Sequence, residues 1–236
     1  PYSYYTRHRI RRYGFHGTSH RYVSRRYAQI HGATPEAFKL ITCHLGNGCS
    51  ICAIDRGCSV DTSMGFTPLE GLLMGTRCGD LDPAVISYLV MREGLEIDEV
   101  DSLLNKRSGL HGLSGLTNDM RDLLAAAANG HSQARLAIEV FCYRIKKYIG
   151  SYFAALDGAD AVVFAGGIGE NAAAVRAEIC DSLGSLGIEL DPARNQAALG
   201  IEERISAPDA TTAVWVIPTD ESLLIAQDTA RLIGTT

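Results

Sequence analysis

Between Leu40 and Ser63 the sequence reads LITCHLGNGCSICAIDRGCSVDTS, three apolar, β-branched runs separated by two glycine-bearing turns. Such punctuation predicts a strand meander over about 39–45, 49–55 and 58–63. Asn47-Gly48 is the strongest short hairpin signal, because both residues tolerate φ > 0. A bare hairpin has no need of His44 or of a second glycine at Gly46, so this turn is expected to be built for the approach of something else.

The rest of the chain alternates. Thr18 or Ser19 is expected to cap a helix to about Ile30, closed by Gly32. TPLEGLLMGTRCGDLDP predicts a short helix and a Gly-rich loop, followed by helices over Ala84 to Arg92 and about 97–105. SGLHGLSGL reads as a loop before a helix capped by Thr117 or Asn118 and stopped by Gly130. In the long helix expected over about 132–156, Ala134, Ala137, Ile138, Phe141, Ile145, Tyr148, Ile149 and Tyr152 form one apolar stripe, which marks core or a subunit contact. Downstream, ADAVVFAGGIG is a buried strand into a glycine turn, ENAAAVRAEICDSLG a helix, GIEL a short strand, TTAVWVIPTD a long one and ESLLIAQDTARLIG a final helix. A meander followed by strand–helix alternation argues an α/β fold with a mixed sheet.

The net charge of −5 argues against a nucleic-acid grip, although the opening RHRIRRYGFHGTSHRYVSRR is strongly basic and part of it is expected to face an anion. Seven cysteines form no paired framework, and Cys49 and Cys52 would point to opposite faces of a strand, so reduced thiols and a cytoplasmic setting are expected. No apolar run is long enough to span a bilayer. The chain starts at Pro1 without Met and is expected to be a piece of something longer.

Several motifs carry chemistry. Gly167 to Ala172 fits G-x-G-x-x-A after a strand, with Glu189 and Asp191 about twenty residues on, as a dinucleotide site would require. The same glycines serve equally as a packing turn, or as flat backbone against an adenosine, with a Cβ on Gly169 expected to push the backbone off the adenosine or to clash at a positive φ while leaving the fold intact. HLGNG, from His44 to Gly48, is not a P-loop, yet its N–H groups suit a phosphate. Arg77 lies in a Gly-flanked loop and suits charge on a transferring phosphoryl group, or else pairs with Asp80 or Asp82 at the surface. His16 and His20 lack the third ligand that zinc needs. Asp119 and Arg121 open a helix, and Asp220 and Glu221 end a strand where a carboxylate can hold Mg2+ through water.

RRYGFHGTSH, HLGNGCS, GFTPLEGLLMGTRCGDLDP, FAGGIGEN and VIPTDE together resemble the acetate kinase family (acetate/propionate kinases), part of the acetate and sugar kinase, heat-shock protein 70 and actin superfamily, over almost the whole chain. The resemblance implies a ribonuclease H-like mixed sheet flanked by helices, the C-terminal, nucleotide-side lobe of a two-lobed kinase. Residues 1–221 would form that lobe, and 222–236 a helix returning to an N-terminal lobe. It implies reversible transfer of the γ-phosphoryl of ATP to acetate, giving acetyl phosphate and ADP, with Mg2+ or Mn2+, in a cytoplasmic homodimer. By motif, His16 and Arg77 would be catalytic, and His44, Leu45, Gly46, Asn47 and Gly48 would hold phosphate. Asp119, Met120 and Arg121, with Gly167, Ile168, Gly169, Glu170 and Asn171, would line the adenosine pocket. Phe15 and Pro68 would contribute to the acetate pocket, and Glu221 would hold the metal. Ser222 stands where the family commonly has a second Glu. The family's other lobe, with its own phosphate loop, Arg and Asp, has no counterpart here, so this chain alone is expected to be inactive. Propionate kinase, or an ADP-binding and dimerisation module, are the alternatives.

Overall fold

The computed structural model describes residues 1–234; Thr235 and Thr236, the end of the expected final helix, lie outside the described residues. In chain order the elements are α1 (Tyr2–His8), α2 (Gly17–Ile30), β1 (Lys39–Leu45), β2 (Cys49–Asp55), β3 (Cys58–Thr62), α3 (Ala84–Glu93), α4 (Ile97–Lys106), α5 (Gly109–Ser114), α6 (Met120–Ala128), α7 (Ser132–Ala155), β4 (Ala161–Ala165), α8 (Gly166–Asn171), α9 (Ala173–Cys180), α10 (Pro192–Ala197), β5 (Glu203–Arg204), β6 (Ala213–Val216) and α11 (Glu221–Leu232). The chain forms two compact units. One comprises Pro1–Phe15, Gly46–Ser50 and Ser63–Ile145; the other comprises His16–Leu45, Ile51–Thr62 and everything from Lys146.

The sheet has the order β3-β2-β1-β4-β6-β5, with β1, β4 and β6 parallel and β5 antiparallel to β6. β4 (AVVFA) is buried throughout, the continuous apolar pattern of a strand covered on both faces. In the second unit Val23 and Tyr27 of α2 pack with Leu40, Cys52, Ile54, Ala161, Val163 and Ile217. The predicted mixed sheet and the three strands of the meander are therefore present.

Several local expectations are corrected. Asn47 and Gly48 do not adopt a left-handed φ; residues 46–48 form a bend. The left-handed pair falls instead in the second hairpin, at Arg56 (φ 49) and Gly57 (φ 81), between the paired Asp55 and Cys58. The expected helix in TPLEGLLMG is absent, because the segment's backbone is committed elsewhere: Pro68 O accepts from Arg77, Gly71 O from Asp80 N, and Gly71 N donates to Asp80 Oδ1. Gly71 (φ +105) and Gly79 (φ +70) turn the chain through conformations that L side chains rarely adopt. SGLHGLSGL contains a helix, α5, rather than a loop. The caps also moved: α2 is capped by His16, in a left-handed conformation with φ 58, and α6 by Asp119, whose side chain accepts from Arg121 N. GGIGEN is itself helical from Gly166, and the TTAVWVIPTD strand is only Ala213–Val216.

The apolar stripe of α7 is spent inside the chain. Ala134, Ala137, Ile138, Phe141, Ile145, Ile149 and Tyr152 are buried and Tyr148 is half-buried, so most of the stripe is core. Among the described residues no disulfide joins the seven cysteines, and five of them are buried. Among the described residues no helix is long and apolar enough to cross a membrane.

Candidate functional site

The expected site residues fall into two sets, one in each unit. In the first unit the Arg77 loop is built by α5, the helix that composition hid. Leu110 N and His111 N, in the first turn of α5, donate to Met74 O and Gly75 O at 2.9 Å each, and Ser108 N donates to Thr76 O at 3.0 Å. The helix's orphan N–H groups are thereby satisfied by the loop carbonyls. Gly109, with φ +65, lies so close that a Cβ would sit 2.2 Å from Met74 O and 2.9 Å from both N and O of Arg77. The Arg77 guanidinium donates to Pro68 O at 2.9 Å, which joins an expected catalytic residue to an expected pocket residue. Arg77 is not taken up by Asp80, whose carboxylate instead faces Arg144 at 3.5 Å.

The 46–48 bend is tied to the same loop. Gly75 N donates to Asn47 O at 2.9 Å, and the Asn118 amide donates to Asn47 Oδ1 at 2.8 Å. A Cβ on Gly75 would lie 2.0 Å from Asn47 Oδ1, so the glycine at this position allows the bend to close. Gly46 N is engaged by Gly48 O at 3.2 Å, which leaves the bend fewer free donors than a phosphate cradle drawn from sequence would have. Beside it, Asp119 accepts from Arg121 N and Nε at 2.9 and 3.0 Å. The hydrogen bond from the Arg121 guanidinium pulls the Asp119 carboxyl down to about 2. Arg121 itself is 89% exposed and Met120 is buried, so of this trio only Asp119 and Arg121 present polar groups to a ligand. Phe15 is 37% exposed.

In the second unit the histidines gather. The His16 and His44 rings stack with centroids 4.2 Å apart, and His44 Nδ1 lies 2.8 Å from Ser19 Oγ. His20 Nδ1 lies 2.8 Å from Thr42 Oγ1, in full burial. Burial pushes the His20 pKa down to about 3, with His44 and His16 adding repulsion, and burial lowers that of His44 also. Ser19, His20 and Thr42 were missed as site neighbours; the four-residue spacing of His16 and His20 was the available signal.

The His20 shift has a stability consequence. The unfolded chain takes up a proton near pH 6.5 that the folded chain resists until about 3, so stability is full above 6.5 and falls as pH drops through that window. Chemical denaturation at pH 7 and pH 5 should show a loss of about 2 kcal/mol, which His20→Asn should flatten.

The glycine motif divides its labour. Gly166 has φ +76, and a Cβ there would meet the Leu45 backbone at 2.8–3.0 Å. Gly167 is exposed, with nothing within 4 Å of a Cβ. Gly169 has no positive φ and would meet Leu45 and Phe164 only at 3.6 Å, so the expected clash at a positive φ is corrected: the glycine that needs one is Gly166. Gly166→Ala should therefore destabilise the fold by about 2–3 kcal/mol in urea titrations, and Gly169→Ala by much less. Asn171 donates to Gly167 O at 3.0 Å on the exposed side of α8, and part-buried Ile168 lies between them in sequence.

Two clamps hold this helix. Glu170 Oε1 accepts from Gly166 N at 2.8 Å and from Thr219 N at 3.2 Å, linking α8 to the end of β6. Behind it, Arg176 is wholly buried. Its five donors reach Gly169 O, Glu170 O, Asn195 Oδ1, Asn195 O and Ala198 O at 2.7–3.0 Å. Burial without a carboxylate pulls its pKa down to about 10. An arginine within the apolar run AAAVRAEIC was the sequence signal for this clamp.

At the end of β6, Asp220 caps α11 through Leu223 N at 2.8 Å, which leaves Glu221 as the acid without a hydrogen bond or ion pair among the described residues. The buried Thr219 hydroxyl, two residues earlier, also lacks a partner. A single carboxylate without a protein partner fits Mg2+, which keeps most of its waters. Among the described residues no group of three or more His, Cys, Asp or Glu is placed to hold a metal ion by protein ligands alone.

A mixed sheet flanked by helices, with glycine-bearing connections at the strand ends, is the ribonuclease H-like class of fold used by two-lobed kinases. Within that class the chain belongs to the acetokinase family, whose sequence profile matches residues 1–227. An acetate kinase of Halothermothrix orenii is 56% identical over 99% of this chain. The crystal structure of Porphyromonas gingivalis acetate kinase superposes with a TM-score of 0.96 at 46% identity over 99% of this chain. A propionate kinase of Francisella tularensis gives 0.91, also at 46% identity, over 97%. The chain spans 58% of the length of each of these three proteins.

Proposed function

We propose that this chain is the nucleotide-side, C-terminal part of an acetate kinase, which moves the γ-phosphoryl of ATP to acetate reversibly, giving acetyl phosphate and ADP. The observation that carries this is the coverage: 99% of the chain aligns with proteins named acetate kinase at about 55% identity, without a segment left over for another role. In this reading Arg77, held by α5 and Pro68, offers a planar cation to the transferring phosphoryl group, and His16 adds a second donor. Phosphoryl transfer asks for positioning and charge stabilisation more than covalent help. His44, Leu45 and the 46–48 bend border the phosphates. Asp119, Met120 and Arg121 and the exposed side of α8, from Gly167 to Asn171, border the adenosine, while Phe15 and Pro68 border the acetate methyl. Glu221 holds Mg2+, or Mn2+, through water, and the ion when bound offsets the charge of the phosphate oxygens. A homodimer, a cytoplasmic setting and a final helix returning to the N-terminal lobe belong to the same proposal.

Propionate kinase remains a second reading, because the Francisella tularensis structure is as similar in sequence as the acetate kinase structure. The test is hydroxamate detection of acyl phosphate by the longer protein containing this chain, with acetate and propionate compared by kcat/KM. Acetate is expected to be preferred; turnover of neither acid overturns the assignment. The 236-residue chain by itself is expected to form no measurable acetyl phosphate.

The exposed face of α8 gives a sharper check. Gly167→Leu should weaken ADP at least about tenfold, about 1.4 kcal/mol, by covering the backbone on which adenosine would lie, with an unchanged melting temperature. Unchanged ADP affinity in that variant would remove α8 from the nucleotide site.

A further inference from the structure

Ser19 occupies the first turn of α2 and is wholly buried, with its Oγ 2.8 Å from His44 Nδ1. The contact can be made in two ways. Either the hydroxyl donates to a bare Nδ1, or an Nδ1–H donates to the hydroxyl. The second arrangement leaves the hydroxyl's own proton in need of an acceptor, and the Ser19 side chain has no other partner among the described residues. A buried donor left unmade is costly, whereas a spare lone pair on an oxygen already hydrogen-bonded costs little. The first arrangement is therefore the stable one. With Nδ1 accepting, a neutral ring must carry its proton on Nε2.

The ring is also fixed in space. It is stacked on His16 at 4.2 Å, with the planes 25° apart, and it stands near the end of β1, one residue before Leu45 and the bend. His44 makes no other hydrogen bond among the described residues, so Nε2 is available for a ligand. A phosphate oxygen accepts hydrogen bonds and cannot donate one to a bare nitrogen when ionised, so only the Nε2–H form of His44 can bind it. We infer that Ser19 is a positioning residue that holds His44 as its Nε2–H tautomer and thereby makes the β1-end histidine a donor for a nucleotide phosphate. The phosphate half of this statement rests on the proposed function; the tautomer half does not.

The experiment has two arms. In the first, the ligand-free 236-residue chain carrying 15N-labelled histidine is studied by NMR at pH 7.5, with His44 assigned by loss of its signals in His44→Gln. Wild type should show His44 with a protonated Nε2 and a bare Nδ1. Ser19→Ala should shift the ring toward the other tautomer or a mixture, and Ser19→Thr, which keeps the hydroxyl, should restore it. A wild-type His44 protonated at Nδ1, or a Ser19→Ala spectrum identical to wild type, overturns the inference, and the wild-type spectrum decides the first point even if a variant fails to fold. In the second arm, calorimetry with ADP should show about tenfold weaker binding in Ser19→Ala and recovery in Ser19→Thr. A shifted tautomer with unchanged ADP affinity overturns the donor role alone. Absence of ADP binding by wild type contradicts the functional reading and leaves the tautomer assignment to the spectra.

Discussion

Replacing Arg77 with Ala in the longer protein should lower kcat by about 10³–10⁵, roughly 4–7 kcal/mol, while the Kd for ADP changes little. The size follows from what the guanidinium can do. It is planar, permanently charged and forked, which suits the spread oxygens of a metaphosphate-like group. It is also fixed before the substrate arrives. Its backbone is pressed against Gly109, and its side chain is anchored on Pro68 O, so little ordering remains to be done at the moment of reaction. Arg77→Lys keeps the charge and loses the fork, and should recover only a small part of the loss. A collapse of ADP affinity with kcat preserved at saturation would make Arg77 a ground-state phosphate anchor instead. No change in either quantity would make it a surface residue.

The second large effect concerns the fold beneath the nucleotide face. Arg176→Ala removes the guanidinium donors from the carbonyls of Gly169, Glu170, Asn195 and Ala198 and from the Asn195 side-chain oxygen, with Gly200 N still bonded to Glu170 O, and leaves a void where a long side chain had been. Unsatisfied carbonyls and the cavity together should cost about 4 kcal/mol, a fall in melting temperature of roughly 8–16 °C for a chain of this size. Because Gly169 and Glu170 are among the freed residues, α8 should loosen first, visible as faster amide hydrogen exchange over 166–171. Arg176→Lys has a compact ammonium that cannot reach carbonyls on opposite sides, so it should restore only a minor share. A melting temperature within about 2 °C of wild type would show that the clamp is dispensable.

Much of this is legible in the sequence. Alternation and turn residues placed β1, β2 and β3 almost to the residue, because a strand buried on one or both faces advertises itself in its side chains. Three of the motifs carrying the resemblance sit at connections that the fold builds: the 46–48 bend, the Arg77 loop and the start of α8. What sequence could not supply was the tertiary use of backbone groups. TPLEGLLMG has helical composition, yet its carbonyls and amides are claimed by Arg77 and Asp80, and tertiary hydrogen bonds override a weak propensity. The Gly-rich SGLHGLSGL composes like a loop, yet the carbonyls of residues 74–76 supply its N-terminal partners and make it α5. Among the three glycines of GGIG, sequence offers no way to tell which one lies against Leu45. The role of Ser19 depends on His44, and those of Glu170 and Arg176 depend in part on Thr219 and on Asn195 and Ala198, partners that no local pattern reveals.

The central claim is that this chain is a nucleotide-binding part of a phosphotransferase rather than a dinucleotide-binding or purely structural module. Calorimetry on the 236-residue chain, titrated with ADP and Mg2+ and separately with NAD, tests it most directly. Saturable binding of one ADP per chain, weakened when Mg2+ is chelated, with no heat from NAD, is the expected result. Absence of ADP binding by the folded chain, or binding of NAD in its place, would contradict it.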